Sequence, residues 1–422
     1  MLQVNFLRDN KERVLEGLKK RQFKNLELVD EAIAADDERK RIQFELDSQL
    51  SEINKISKEI GLLMKEGKKE EAESAKSKTA QYKESSSELK SQLEVKEKAL
   101  SDILYQLPNI PNELVKSGAS ADDNEIIFQS HPVEGLGEGA IPHWELAKKY
   151  NLIDFELGVK ISGAGFPVYL GKGARLQRAL VQYFLDKNVE KGYTEVNPPH
   201  VVNEASGFGT GQLPDKEGQM YYINEDKLYL IPTAEVPVTN LYRDVLFDEK
   251  DLPVKNTAFS QCYRREAGSY GAHVRGLNRL HQFEKVEIVR IEKPENSYAV
   301  LEEMVEHIKE ILTDLELPFR VLRLCGGDTG FASAMTYDFE VWSAAQEMWL
   351  EVSSVSNFET FQANRLKCRY KADGKSQLVH TLNGSAMALP RIMAALLENN
   401  QTPEGIKLPK KVAEYARFDV IN

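Results

Sequence analysis

The first 107 residues contain no proline, and glycine occurs there only at Gly17, Gly61 and Gly67. A proline inside a helix costs about 3 kcal/mol, so a stretch this long without one is free to be helical throughout. Its second half carries a seam. Ala72, Ala75, Thr79, Tyr82, Ser86, Leu89, Leu93, Lys96, Leu100, Ile103 and Leu107 recur in steps of three and four, the spacing of a helix face turned toward a partner helix. Upstream, Leu46, Ile53 and Ile60 repeat at seven. Between the two stretches lies KEGKKEE (65–71), where Gly67 can turn the chain. The pattern predicts one antiparallel helical hairpin, about 28–65 and 70–107, reaching about 50 Å at 1.5 Å per residue. Its charge is mixed, with 14 basic and 17 acidic side chains between Asp30 and Leu100. A cluster of Lys65, Lys68, Lys69, Lys76 and Lys78 is nearly cancelled by Glu66, Glu70, Glu71 and Glu73. A solvated coiled coil that spaces or dimerises and an arm that touches RNA both fit this composition.

PNIPNE (108–113) ends the hairpin, because two prolines in four residues stop a helix and stiffen the segment after it. The polar run SGASADDNE (117–125) continues it, so 1–107 reads as an N-terminal domain, 108–139 as a linker and 140–422 as a second domain. Beyond 140, glycine and proline are frequent. The β-rich runs LYLIP (228–232), KVEIVRI (285–291) and FRVLRL (319–324) are interspersed with helical patterns such as 174–192. That mixture predicts an α+β domain with a largely antiparallel sheet flanked by helices.

The 55 basic and 66 acidic residues give a net charge of −11, which alone argues mildly against a nucleic-acid binder without excluding a local basic patch. Cys262, Cys325 and Cys368 lie far apart and form no CxxC pair, so a reducing compartment is expected. No apolar run of about 18 residues and no leader-like apolar segment is visible; the expectation is a cytoplasmic chain without a membrane span.

There is no GxxxxGK[ST], no strand-to-helix GxGxxG, no HExxH and no GxSxG. The seven histidines show no close ligand spacing, so no zinc is expected. The informative segment is SQCYRREAGSYGAHVRGLNRLHQFEKVEIV (260–289), which reads as strand, polar loop, strand. Arg264, Arg265, Arg275 and Arg279 crowd a loop with few acids. Guanidinium forks match phosphate or carboxylate, so this is an anion site or a surface hairpin laced with ion pairs. Phe283 offers a flat face for a base.

Tyr263-Arg264-x-Glu266, a loop and an aromatic leading into the next strand resemble the second signature motif of class II aminoacyl-tRNA synthetases. REAGS (265–269), RGL (275–277) and HQFEKVE (281–287) are similar to seryl-tRNA synthetases of the bacterial type. The opening MLQVNFLRDNKERVLEGLKKR, the hairpin, PNIPNE, GYTEVNPP (192–199), TGQLP (210–214), IPTAEVPVTN (231–240), EVSSVSN (351–357) and LNGSAMALPRIMAALLEN (382–399) follow in that family's order. The resemblance covers essentially the whole chain.

It implies a class II catalytic domain behind a tRNA-binding arm, and a ligase joining L-serine to the α-phosphate of ATP. Serine would then pass to the 3′ end of tRNA(Ser) and, where an organism has one, tRNA(Sec). In the resemblance Arg264 bridges the α-phosphate and the serine carboxylate, Glu266 accepts from the adenine amino group and Phe283 stacks on the ring. Arg391 stacks on the other face or meets the γ-phosphate, making Arg264 and Arg391 the catalytic pair. Glu351 and Ser354 would hold Mg2+, a hard cation suited to oxygen ligands. Arg265, Val352 and Ser353 complete the ATP contacts. Thr233, Ala234, Glu235, Arg264, Glu287, Asn383 and Ser385 would line the serine pocket, with a glutamate facing the ammonium and Glu287 facing the hydroxyl. The family also implies a homodimer, with the interface around Pro199.

The chain departs from the family at several points. Arg265 stands where serine is usual, Ala386 and Pro390 stand where glycines are usual, and Asn364 replaces an arginine. Pro390 lacks an N–H and precedes Arg391. Two rivals remain open on sequence: a ligase loading an amino acid onto a carrier protein, and a non-catalytic RNA-binding relative.

Overall fold

The computed structural model describes residues 1–266 and 275–422. The last three residues of REAGS and His273 lie outside the described residues. The chain forms two compact units, one of Met1–Leu18 with Phe23–Pro108, the other of Lys19–Gln22 with Asn109–Asn422.

In the first unit the expected hairpin is α1 (Leu28–Lys65) and α2 (Lys69–Leu104), reversed at Gly67, whose φ of +78° suits glycine. The predicted seam is the buried face of α2: Ala72, Ala75, Thr79, Ser86, Leu89, Leu93 and Leu100 are all buried. Ile42 and Leu46 of α1 meet Leu89 and Leu93 of α2 in a buried cluster. Burial of each such side chain contributes about 1.5–3 kcal/mol, enough to fix register over two helices that are otherwise polar. The polar seam positions are accommodated differently. Ser86 is buried and donates across the hairpin to Gln49 Oε1 at 3.2 Å, and Thr79 donates back to the Ala75 carbonyl at 2.9 Å. Lys96 stays half-buried and reaches Glu38 at 3.5 Å.

The second unit is built on one eight-stranded sheet. Its strands are β1 (Glu125–Gln129), β2 (Thr194–Glu195), β3 (Val254–Tyr263), β4 (Gln282–Glu292), β5 (Phe319–Arg323), β6 (Met335–Ser343), β7 (Met348–Asn357) and β8 (His380–Ala388). Their order is β1-β5-β6-β7-β8-β4-β3-β2, antiparallel except for the short parallel pair β2–β3. Four helices position the site or its supports: α3 (His143–Lys149), α4 (Gly171–Glu190), α5 (Ser297–Asp314) and α6 (Leu389–Asn399). Leu176 and Phe184 of α4, Leu301 and Met304 of α5 and Ile392 and Leu396 of α6 share a core with Val286 and Ile288 of β4. Strand alternation therefore sends Lys285 and Glu287 to the opposite face of β4, while Phe283, near the start of the strand, is half-buried and packs against the margin of this core.

The stretch 108–139 is not simply a linker, as the sequence suggested. Its EIIFQ segment forms β1, the edge strand that pairs with β5, and Arg323 donates to Glu125 Oε2 at 3.1 Å. Polar flanks hid a strand whose partner lies far along the chain.

Candidate active site

The strand–loop–strand unit around 260–289 is β3 and β4, paired in a regular register that sets Phe283 opposite Cys262 and Glu287 opposite Ala258. Arg264 leaves the end of β3 with its guanidinium 5.3 Å from the centre of the Phe283 ring, and its Nε reaches the Pro232 carbonyl at 3.4 Å. Arg265 is exposed, with its backbone N–H on the Gln219 carbonyl at 2.8 Å. Glu266 adopts φ +48°, its N–H bonds Gln219 Oε1 at 3.0 Å, and its carboxylate accepts from Arg279. Arg264, Phe283 and Glu266 thus border one surface formed by the two strand ends.

Farther along β4 a polar pocket closes. Glu287 is buried and Ser385 of β8 stands directly opposite it. Thr233 donates to Glu287 Oε2 at 3.3 Å and its Oγ1 accepts from the Glu235 N–H at 3.2 Å, which seats the start of helix Glu235–Asn240. Ala234 is fully buried beside Val238 and Ala258. Gln362 donates to Glu235 Oε1 at 2.7 Å and is itself fixed by Thr381 at 2.7 Å. Burial, and next the charge of Glu287, push the Glu235 carboxyl up to about 7. Asn383 is buried with its side-chain amide toward the Glu235 carboxylate, which it helps to hold down against the effect of burial. The structure also brings in two residues the sequence reading passed over. Lys285 sits 2.6 Å from Glu287 Oε2, with both side chains buried, and Gln362 holds Glu235.

A third group lies on β6 and β7. Glu351 and Ser354 are three apart, so regular alternation would put them on opposite faces. A β-bulge intervenes: Phe339 pairs with Ser353 but Glu340 pairs with Glu351, leaving Val352 as the extra residue. The bulge returns Glu351 to the face of Ser354, while the Val352 side chain enters the core and leaves only its backbone for any ligand. Ser353 donates to the Ser385 carbonyl at 2.5 Å, tying β7 to β8. Asp338, also missed from sequence, stands opposite Ser354 in register. Its Oδ1 is buried with no hydrogen-bond partner among the described residues, and burial and the charge of Glu351 push its carboxyl well above the ordinary range. Two carboxylates and a hydroxyl on one face, one oxygen unpartnered, fit a hard divalent cation.

Arg391 lies in the first turn of α6. Pro390 occupies one of the first two helical positions, where a missing N–H costs nothing. Arg391 Nε donates to the Asn278 carbonyl at 2.9 Å and NH1 to the Glu351 carbonyl at 2.7 Å. The loop segment behind Asn278 is itself anchored. Buried His143 accepts from the Leu277 N–H through Nε2 at 2.8 Å, and its Nδ1 lies 2.7 Å from Glu398 of α6. Gln346 links Glu398 to the Asn278 side chain, at 3.0 and 2.8 Å. Burial pushes the Glu398 carboxyl up, but hydrogen bonds from His143 and Ser343 outweigh it and hold the group low. The sequence showed His143 only as a histidine without metal-ligand spacing.

An antiparallel sheet that presents an arginine and a stacking aromatic at one strand pair, and a second arginine on the following helix, defines a class II aminoacyl-tRNA synthetase core. Residues 220–400 match the tRNA synthetase class II core domain (G, H, P, S and T), and residues 1–111 match the seryl-tRNA synthetase N-terminal domain. The chain is 50% identical over 421 residues to the serine–tRNA ligase of Salinibacter ruber, covering 99% of this chain and 98% of that protein. It is 45% identical to that of Chlorobium phaeovibrioides, covering 100% and 99%. The crystal structure of seryl-tRNA synthetase from Pyrococcus horikoshii complexed with ATP superposes with a TM-score of 0.91 at 33% identity, covering 100% and 99%. That of the cytoplasmic serine–tRNA ligase of Naegleria fowleri with AMP gives 0.86 at 26%, with the same coverage. The chain belongs to the serine–tRNA ligase family, a family of aminoacyl-tRNA ligases.

Proposed function

We propose that this chain activates L-serine with ATP and transfers it to the 3′ end of tRNA(Ser), and of tRNA(Sec) where one exists. The observation that carries this reading is the continuity of two sites on β3 and β4. Arg264 and Phe283 form an anion and base platform, and Glu287, Thr233 and Glu235 form a buried polar pocket next to it. An amino acid seated with its ammonium toward Glu235 and its hydroxyl toward Glu287 directs its carboxylate toward Arg264. The fork of Arg264 then holds that carboxylate and the α-phosphate together against their repulsion. A carboxylate oxygen attacks phosphorus and pyrophosphate leaves. No protein nucleophile is needed; placement and neutralisation of charge carry the step.

Asp338, Glu351 and Ser354 are the residues that would hold Mg2+, which, when bound, draws charge from the phosphates. Glu266 offers an acceptor to the adenine amino group once it exchanges Arg279 for that partner, and Arg391 offers its remaining N–H groups to the nucleotide. The pocket disfavours alanine, because an amino acid without a hydroxyl leaves Glu287 and Thr233 unmatched. In the second step a ribose hydroxyl of the terminal adenosine attacks the seryl carbonyl and AMP leaves.

The match of residues 1–111 to the seryl-tRNA synthetase N-terminal domain favours tRNA over a carrier protein as acceptor. The helical arm reads tRNA by shape and backbone, consistent with its nearly balanced tip charge. We propose a homodimer around the Pro199 region and a cytoplasmic setting. Among the described residues no helix is long and apolar enough to cross a membrane. Serine-dependent ATP–pyrophosphate exchange, tested against each standard amino acid, decides the reading. Exchange with serine alone supports it, exchange with another amino acid overturns the pocket assignment, and none overturns the activity.

A further inference from the structure

We infer that Lys285 sets the chemical selectivity of the amino-acid pocket: by neutralising Glu287 it makes that carboxylate an acceptor for a neutral hydroxyl and leaves Glu235 to take the α-ammonium. This rests on the serine-activating reading above.

The two pocket carboxylates are not equivalent. Lys285 and Glu287 project from the same face of β4 and meet at 2.6 Å, with side chains 9% and 2% exposed. Thr233 donates to the same Oε2 at 3.3 Å. Both contacts fall on Oε2, which among the described residues leaves Oε1 as the oxygen open to a ligand. Glu235, in contrast, is held by the neutral amide of Gln362 at 2.7 Å and forms no ion pair with a Lys or Arg among the described residues, although Lys285 is near enough for its charge to favour the ionised form of Glu235 too. A buried ion pair is poor value for stability alone, since apolar replacements are often neutral or better. Its place on the pocket wall points to selection. An incoming ammonium is drawn to the unpaired carboxylate, Glu235. At Glu287 the cation position is already filled, so a second positive charge on the ligand would meet Lys285 and be repelled, while a hydroxyl can still donate. Like-charge juxtaposition is an effective way to reject a wrong ligand.

The matching probe is L-2,3-diaminopropionate, which replaces the serine hydroxyl with an ammonium of nearly the same size. Lys285→Met removes the internal cation, and Lys285→Gln removes the charge but keeps an N–H donor for Glu287, so a folded variant is available even if burying an unpaired carboxylate unfolds the first. Pyrophosphate exchange is measured with serine and with diaminopropionate at saturating ATP. The wild-type chain is expected to use serine and to favour it over diaminopropionate by about a hundredfold or more. In either variant the serine KM rises about tenfold, the ATP KM is unchanged, and the preference moves toward diaminopropionate by about a hundredfold. A general loss of packing would lower both activities together and could not create use of the diamine. The double variant Lys285→Met with Glu287→Gln, neutral again, is expected to lose that gain. Folded single variants that keep the wild-type preference overturn the inference while leaving the serine-activating reading intact. A wild-type chain that exchanges with no serine overturns that reading and the inference with it.

Discussion

Glu235 should make serine binding depend on pH in a direction fixed by its surroundings. It is a buried carboxyl next to a second buried carboxylate, and these two causes bring it to about 7. The ammonium of serine needs its ionised form. Because the folded value lies above the ordinary one, the ionised carboxyl is disfavoured in the pocket; it is fully formed above 7 and lost as pH falls through 7. With a midpoint near 7, the ionised fraction drops from about nine tenths at pH 8 to about one tenth at pH 6. Apparent affinity scales with the competent fraction, so the serine KM should rise about tenfold over that interval. The charged groups acting on Glu235 are Glu287 and Lys285, themselves paired at 2.6 Å. The assay is serine-dependent pyrophosphate exchange at saturating Mg-ATP, with serine titrated at each pH. Glu235→Gln supplies the control: its KM should be high and flat. A wild-type KM that does not change between pH 6 and 8, or a profile that survives in Glu235→Gln, would refute the assignment of the ammonium to Glu235.

Arg264→Ala should lower kcat/KM for activation by about 10²–10⁴, the loss of two charge-assisted contacts at about 1.5–3 kcal/mol each. Its melting temperature should stay near wild type, because among the described residues its side-chain contacts are the Phe283 face and one long bond to Pro232; near-normal exchange in the folded variant would sink this role. Removing 35–95 and closing the hairpin should spare pyrophosphate exchange and cripple tRNA charging, and unchanged charging would leave the arm without a function. Asp338→Asn should weaken binding of Mn2+ in the presence of a non-hydrolysable ATP analogue about tenfold or more by paramagnetic resonance, as loss of a supporting ligand does elsewhere. Equal affinity would remove Asp338 from the metal group.

The hairpin was legible because its signal is local: an unbroken absence of proline, a three-and-four spacing, and a glycine at the turn. The seam read from the spacing is the face the structure buries, from Ala72 through Leu89 and Leu93 to Leu100. The grouping of Arg264, Glu266 and Phe283 was legible because they are close in sequence on one strand–loop–strand unit. What escaped was long-range. β1 forms only because β5, far along the chain, offers an edge. Asp338 gains meaning only from its register with Ser354 and from a bulge at Val352 that no spacing rule reveals. Lys285 was hidden by its type, since a lysine on a strand is normally solvated; only alternation along β4, together with burial, turns it toward Glu287.

Arg391 gives this arrangement a mechanical meaning. A guanidinium has five N–H donors in a rigid plane, and here two of them already pin backbone carbonyls, Asn278 on the loop that returns to β4 and Glu351 on β7. The side chain is therefore a keystone: it locks the Asn278 segment and β7 at a set separation, and in the proposed reading a nucleotide meets a plane already oriented. The freedom an arginine ordinarily loses on binding has been surrendered during folding. A lysine at this position, a point charge on a flexible stem, could meet a phosphate but could not span both carbonyls, so that separation itself depends on the guanidinium's shape rather than on its charge.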